Sequence, residues 1–191
     1  MGVANERSIA WIAAEAASRA GARLAFTYQN QAMARRVVPL AESVDAEITI
    51  PCDVAQSDSI DSAFDTLSRR WESLDFVVHA IAFSDRRELK GRYLDTSREN
   101  MITSLMVSCY SFTHVARRAA TLASGGASFV TYTFEGSRRV VPSYNVMGVA
   151  KAALESSVAY LAADLGTAGI RVNAISSGPM RTLSGAAIGA G

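Results

Sequence analysis

The sequence predicts an α/β fold, a doubly wound parallel sheet with helices on both faces. Three observations carry this. Short β-branched and apolar runs alternate with stretches of helical periodicity along the chain. The run from Leu74 to Phe83 is almost continuously apolar, as expected of a strand covered by helices on both faces. Strand, helix and strand follow one another at the spacing of βαβ units, whose right-handed crossovers build a doubly wound sheet.

Element by element, a helix is expected from about Ser8 to Ala20, then a strand over Arg23–Tyr28. A second helix starts near Asn30, and Ala46–Ile50 reads as the next strand. Ser57 and Ser59 offer N-cap chemistry for a third helix running to Trp71, because a serine hydroxyl accepts from the free N–H groups of a first turn. After Leu74–Phe83, Thr96 and Ser97 with Glu99 open a long helix to about Leu122, which Gly125-Gly126 ends. Ala127–Thr133 is a strand, Ser143–Ala168 a helix and Ile170–Ile175 a strand. No Pro/Gly/Ser-rich linker divides the 191 residues, so they read as a single domain, 1–191.

Composition limits what that domain does. A net charge of +1 gives no global field to attract nucleic acid. The longest apolar run, Phe76–Phe83, is interrupted by His79 and falls far short of the ~20 residues of a membrane span. The first residues show no charged segment followed by an apolar one, so no secretory signal is expected and the cytoplasm is the default. Cys52 and Cys109 lie in no CxxC or His/Cys cluster. They read as reduced, buried small hydrophobes, and no metal site is expected.

Ligands of such sheets bind at the carboxyl ends of the strands. Gly2 to Ile9 forms a glycine turn opening into a helix, whose N–H groups and dipole suit a pyrophosphate. It is not GxGxxG, and on spacing alone Ser8 reads better as a plain N-cap. At the end of the next strand, Gln29 and Asn30 stand where NAD enzymes often carry an acid, with no adjacent arginine for a 2′-phosphate. Asp53, followed by Val54, either accepts from an adenine amino group or caps the following helix. Ala80, Ile81 and Ala82 are small enough to leave room for a flat cofactor.

The sharpest pairing is Tyr144 with Lys151, seven residues later. Both are expected to lie at the start of one helix and share a face, ~10 Å apart along its axis, so that one meets a substrate and the other a cofactor ribose. A lysine ammonium beside a phenol favours negative charge developing nearby.

Taken in order, Gly-Val-Ala-Asn-x-x-Ser-Ile-Ala-Trp, Ala-Phe-Thr-Tyr-Gln, Cys-Asp-Val, Val-His-Ala-Ile, Pro-Ser-Tyr-Asn-Val-Met-Gly-Val-Ala-Lys-Ala-Ala-Leu-Glu and Arg-Val-Asn-Ala-Ile-Ser-Ser-Gly-Pro-Met-Arg-Thr-Leu run through the chain. This series resembles the Rossmann-like short-chain dehydrogenase/reductase superfamily, and within it the enoyl-acyl-carrier-protein reductases of bacterial fatty-acid synthesis. Tyr-x6-Lys is the discriminating mark, since most of the superfamily has Tyr-x3-Lys, and here Gly148 stands at that nearer position.

The resemblance implies NADH as cofactor and an enoyl thioester on acyl carrier protein as substrate. It implies that Tyr144 binds the thioester oxygen as the enolate forms, and that Lys151 holds the nicotinamide ribose. It further implies cofactor contacts from Gly2, Ser8 and Ile9 at the pyrophosphate, and from Gln29, Asp53 and Val54 at the adenosine. Ile81 and Ala82 would lie behind the riboses, and Gly178, Pro179, Met180 and Thr182 would form the loop closing over nicotinamide. Phe134, where many members have a second tyrosine, and Met147 would face the substrate. A homotetramer is implied as well.

Other features read as structural. Thr131 occupies the position of the superfamily's catalytic serine, but without lysine at the ordinary spacing it is taken as structural. His79 reads as a core histidine, and His114 carries no partner signature. Arg86-Arg87, Arg117-Arg118 and Arg138-Arg139 read as solvated surface, with a second role toward an acidic carrier protein left open. Two alternatives stand beside the reductase: a carbonyl-reducing superfamily member, disfavoured by Gly148, and a non-catalytic truncated fragment. The family's first and last strands have no counterpart, so the isolated chain is expected to be unstable and inactive.

Overall fold

A computed structural model describes residues 1–178. Five helices and five strands of the expected type appear in the expected order, with the long central helix divided in two. They are α1 Ile9–Arg19, β1 Ala25–Tyr28, α2 Gln31–Glu42, β2 Ile48–Pro51, α3 Ser57–Ser68 and β3 Phe76–His79. After these come α4 Arg98–Leu105, α5 Ser111–Ala120, β4 Ala127–Thr133, α6 Val146–Gly166 and β5 Ile170–Ser176. Every strand pair is parallel. Ala25 of β1 faces Ile48 of β2, while β4 lies between β3 and β5 with Phe76 opposite Ser128 and Ala127 opposite Ile170. The main core lies where α3, α5 and α6 meet these strands, around Ile60, Phe112, Phe129 and Leu154.

The sheet is in two parts, β1–β2 and β3–β4–β5. Between β1 and β3 lies a cavity of about 370 Å³, walled by Leu24, Ala25 and Phe26 on one side and Phe76, Val77 and Val78 on the other. Met1 occupies one end. Its amine donates to Val78 O at 2.8 Å and its carbonyl accepts from Ala80 N at 3.1 Å, the pattern of a single parallel bridge. Burial of that amine pulls its pKa down to about 6.

Loosely filled space of this size weakens dispersion contacts on both walls. We expect Ala25→Val, which adds two carbons in the cavity on a strand that favours β-branched residues, to stabilise the chain by ~1.5 kcal/mol. Thermal unfolding would then shift upward by ~3–6 °C; an unchanged or lower midpoint would mean the cavity walls do not yield to packing.

Four departures from expectation have tertiary causes. The central strand is only Phe76–His79, because its pairing with β4 ends at His79 opposite Thr131 and Ala80–Ala82 leave the ladder. The long helix is interrupted by a π turn at Met106–Tyr110, which turns Ser108 toward Phe83. Neither Ser57 nor Ser59 caps α3: Gln56 is the N-cap, and the Ser59 hydroxyl accepts from Asp53 N instead. Most consequential, α6 begins at Val146, so Tyr144 precedes the helix rather than lying on it.

Candidate active site

Tyr144 is placed by the turn before α6. Ser143 and Asn145 both have positive φ, 59° and 39°, costly for residues with side chains and sustained only by surrounding contacts. Asn145 Nδ2 supplies two of these, donating to Glu88 O and Gly91 O. Gly136 supplies another constraint: a Cβ on it would lie 2.3 Å from Cδ1 of the Tyr144 ring. The ring is therefore pressed against bare backbone on one side and meets the edge of Phe134 at 5.0 Å on another. Tyr144 is buried with Val146, Met147 and Leu89, and burial raises its phenol pKa above the ordinary value. It thus stays protonated and able to donate at neutral pH. The sequence-predicted substrate-facing residues Phe134 and Met147 join Tyr144 in this cluster, and the Ser108 hydroxyl meets Met147 Sδ at 3.8 Å.

Lys151 lies on the second turn of α6 and is buried, with Nζ donating to Tyr132 O at 2.6 Å. Burial lowers its pKa to about 8, with Cys109 pulling the other way. An ammonium has three N–H donors, and Tyr132 accepts one. The remaining donor capacity fits a pair of ribose hydroxyls. Gly148 lies between the two residues, and a Cβ there would stand 2.6 Å from Gly136 O. The ordinary lysine position of the wider superfamily is therefore closed here by backbone, not merely occupied by another residue.

The predicted nucleotide contacts fall into separate groups. Gln29 and Asp53 are brought together at the ends of β1 and β2, with Gln29 Nε2 3.4 Å from Asp53 Oδ1. Asp53 also accepts from Ala55 N, so it orders its own turn while presenting its other oxygen. Val54 is buried behind it. Gly2 has φ 99° and would place a Cβ 2.2 Å from Ala80 O; its glycine character is explained by contact with the end of β3. Ser8 stands at the N-cap of α1, but its hydroxyl accepts from Ala4 N and Asn5 N and makes no cap bond. The first N–H groups of α1, at Ile9 and after, are thus left without a side-chain cap, the arrangement an anion exploits. Ile81 packs on the core and Ala82 is exposed beyond β3. Gly178 follows β5, while Pro179, Met180 and Thr182 lie outside the described residues.

His79 is fully buried, its Nε2 2.9 Å from Ser111 Oγ. Since the Ser111 hydroxyl donates to Val107 O, the histidine must be the donor in that pair. Burial, aided by the charges of the N-terminus and Lys151, drives its pKa to about 3, so it stays neutral. Thr131 donates to His79 O, which accounts for it structurally. His114, for which the sequence offered no partner, lies 3.0 Å from Asp61 on α3, a carboxylate also held by Arg118. Arg87, Arg118, Arg138 and Arg139 each pair with a carboxylate of this chain. Both cysteines are free, and the described residues hold no group of three metal-ligating side chains.

The chain is similar throughout to one group of proteins. The family model described as enoyl-(acyl carrier protein) reductase matches residues 2–191. Enoyl-[acyl-carrier-protein] reductase [NADH] 2 of Rhizobium meliloti is 58% identical over 98% of this chain and 70% of its own length. FabI of Rickettsia felis is 50% identical over 98% of this chain and 72% of its own. Among solved structures, the reductase of Anaplasma phagocytophilum in complex with NAD superposes with a TM-score of 0.91 at 56% identity, covering 93% of this chain and 68% of that one. FabI of Candidatus Liberibacter asiaticus gives 0.95 at 55% identity, covering 97% and 72%. The site has Tyr144 walled in by Gly136 and Phe134 and the Gly148 position closed by backbone, and on the family model and these relatives the chain belongs to the enoyl-(acyl-carrier-protein) reductase family.

Proposed function

We propose that this chain carries out its family's reaction, reduction of the carbon–carbon double bond of a trans-2-enoyl thioester on acyl carrier protein in fatty-acid biosynthesis, through Tyr144 and Lys151. The observation that carries the reading is the closed Gly148 position beside a buried, protonated Tyr144. It leaves a donor for a thioester oxygen and a lysine set back from it. NADH, when bound, supplies the hydride.

The residues of the chain do the rest by position and charge. The Tyr144 hydroxyl donates to the thioester oxygen and stabilises the negative charge that gathers there as the β-carbon is reduced. Lys151 Nζ holds the ribose hydroxyls and keeps positive charge near that oxygen. Phe134 and Met147 give the acyl chain an apolar wall and keep water from the enolate. Gln29 and Asp53 recognise the adenosine, and the first turn of α1 receives the pyrophosphate. His79, neutral and bonded to Ser111, takes no part in proton transfer.

Reduction of a crotonyl thioester with oxidation of NADH tests the reading, with a ketone as the contrasting substrate. Ketone-dependent oxidation alone would reverse it in favour of a carbonyl reductase. The same assay decides between cofactors. Asn30 is engaged as the cap of α2, accepting from Met33 N, and Gln29 faces the Asp53 carboxylate. A 2′-phosphate would meet that carboxylate and be repelled by it, so kcat/KM for NADH is expected to exceed that for NADPH by at least tenfold. Equal or reversed values would remove Gln29 and Asp53 from the adenosine site.

We further infer a homo-oligomer, a tetramer by family habit, located in the cytoplasm. Ile102, Met106 and Tyr110 recur every four residues along the helix from α4 into α5 and are exposed, as are Val149 and Tyr160 on α6. Apolar stripes of this kind are usually covered by another surface. α6 is long and apolar enough by composition to cross a membrane, but its buried side packs on the sheet and it carries Lys151 and Glu155 there.

A further inference from the structure

We propose that Glu155 is a positioning residue for Tyr144, acting through the short turn that forms the wall behind its ring. Glu155 follows Lys151 by one turn of α6 and is four-fifths buried. Its carboxylate takes three donors from the end of β4 and the turn that follows it. Oε1 accepts from Thr133 Oγ1 at 2.7 Å and Ser137 Oγ at 2.5 Å, and Oε2 accepts from Arg138 Nε at 3.1 Å.

These donors bracket a short stretch. Thr133 is the last residue of β4, and Ser137 closes the 3₁₀ turn Glu135–Ser137. Between them lie Phe134, whose ring meets Tyr144 edge-on, and Gly136, whose bare Cα faces the Tyr144 ring and whose carbonyl abuts Gly148. One carboxylate therefore ties both ends of the segment that contacts the Tyr144 ring from two sides. Lys151 makes the companion link, donating to Tyr132 O one residue before Thr133. The end of β4 is thus joined to α6 on consecutive turns, first by a cation and then by an anion.

Charge is part of the device. Burial by itself would raise the Glu155 pKa, but the hydrogen bonds from Ser137, Thr133 and Arg138 outweigh it and hold the pKa below the ordinary value. The carboxylate is therefore ionised at neutral pH, where Tyr144 is protonated. An ionised oxygen takes the two hydroxyls together, which a neutral amide oxygen does less strongly. Removing the charge leaves the exposed Arg138 solvated at little cost, so the loss falls mainly on the turn.

This rests on reading Tyr144 as the donor to the thioester oxygen, and the test separates the two. The chain has six tyrosines, and 3-fluorotyrosine incorporation gives each a ¹⁹F resonance. Glu155→Gln is expected to shift and broaden the Tyr144 resonance, assigned from Tyr144→Phe, and to leave those of Tyr28 and Tyr160 in place. Ser137→Ala, which removes a single donor, is expected to do the same to a smaller degree and guards against a folding defect in the first variant. In turnover, Glu155→Gln should lower kcat about tenfold with KM for NADH changed less than twofold. Added to Tyr144→Phe it should lower kcat no further, because both changes act on one hydroxyl. An unmoved Tyr144 resonance in both variants, or an equal tenfold loss in the Tyr144→Phe background, would overturn the proposal. A resonance that moves in a chain that reduces no enoyl thioester would uphold the clamp and sink the reading of the site.

Discussion

Tyr144→Phe is expected to lower kcat by about two orders of magnitude while the dissociation constant for NADH stays within twofold. The ring of Tyr144 is held by carbon contacts, with Gly136 close to Cδ1 and Cε1 and Phe134 packed edge-to-face with it, and these survive loss of the hydroxyl. Phenylalanine should therefore sit in the same place and leave the fold undisturbed. What disappears is the donor to an oxygen that becomes charged only as the double bond is reduced. Interactions made chiefly in the transition state are lost from kcat, and a single such donor is worth roughly 3 kcal/mol. Lys151→Ala provides the contrast. It removes the buried ammonium proposed to hold the ribose hydroxyls, so NADH affinity should fall at least tenfold, with the loss appearing in KM for NADH. Fluorescence titration of NADH beside steady-state turnover separates the two effects. Unchanged turnover in Tyr144→Phe would remove Tyr144 from the chemistry, and unchanged NADH affinity in Lys151→Ala would remove the lysine from the cofactor site.

Gly148→Ala should be strongly damaging for so small a substitution. The new methyl would lie 2.6 Å from the carbonyl oxygen of Gly136, and that oxygen belongs to backbone held by the Glu155 bonds on its far side. Neither partner is a flexible side-chain end, so relief requires α6 to move away from the 135–137 turn. Overpacking of this kind costs ~1–3 kcal/mol, or a fall of ~3–10 °C in the thermal midpoint for a chain of this size. Activity should fall with it, because the same turn backs the Tyr144 ring. Moving the lysine, as Gly148→Lys with Lys151→Ala, should consequently fail to create ketone reduction. If Gly148→Ala unfolds at the wild-type temperature, the turn is softer than drawn and the closed lysine position ceases to explain the spacing.

Much of the site was legible because its marks are local. Tyr144 and Lys151 are seven residues apart in one short motif, and Phe134 is ten residues before Tyr144. The strand and helix types followed from periodicity, which depends only on which face of each segment meets the core. The errors arose where contacts between distant segments overrode local preference. Ser143–Tyr144 reads as the start of a helix, yet Gly136 and Asn145 hold that turn open with positive φ. Ser8, Ser57 and Ser59 carry cap chemistry, yet Ala4, Asn5 and Asp53 draw two of these hydroxyls away. His114 finds Asp61 and Glu155 finds Thr133 across 53 and 22 residues, separations at which no pattern along the chain reports a partner.

By itself, then, the sequence determined the class of fold, the order of its elements and the residues proposed to do the chemistry. Hydrophobic period, turn residues and the Tyr-x6-Lys spacing are properties of short stretches, and short stretches keep them wherever they are packed. Only the tertiary structure decided why the lysine stands at position 151, because the obstruction at Gly148 is a carbonyl from another loop. It also decided that Tyr144 is presented from a strained turn backed by Glu155, and that β1 and β3 face each other across a cavity. Each of these depends on how closely separate segments approach, a distance set by packing among all of them at once.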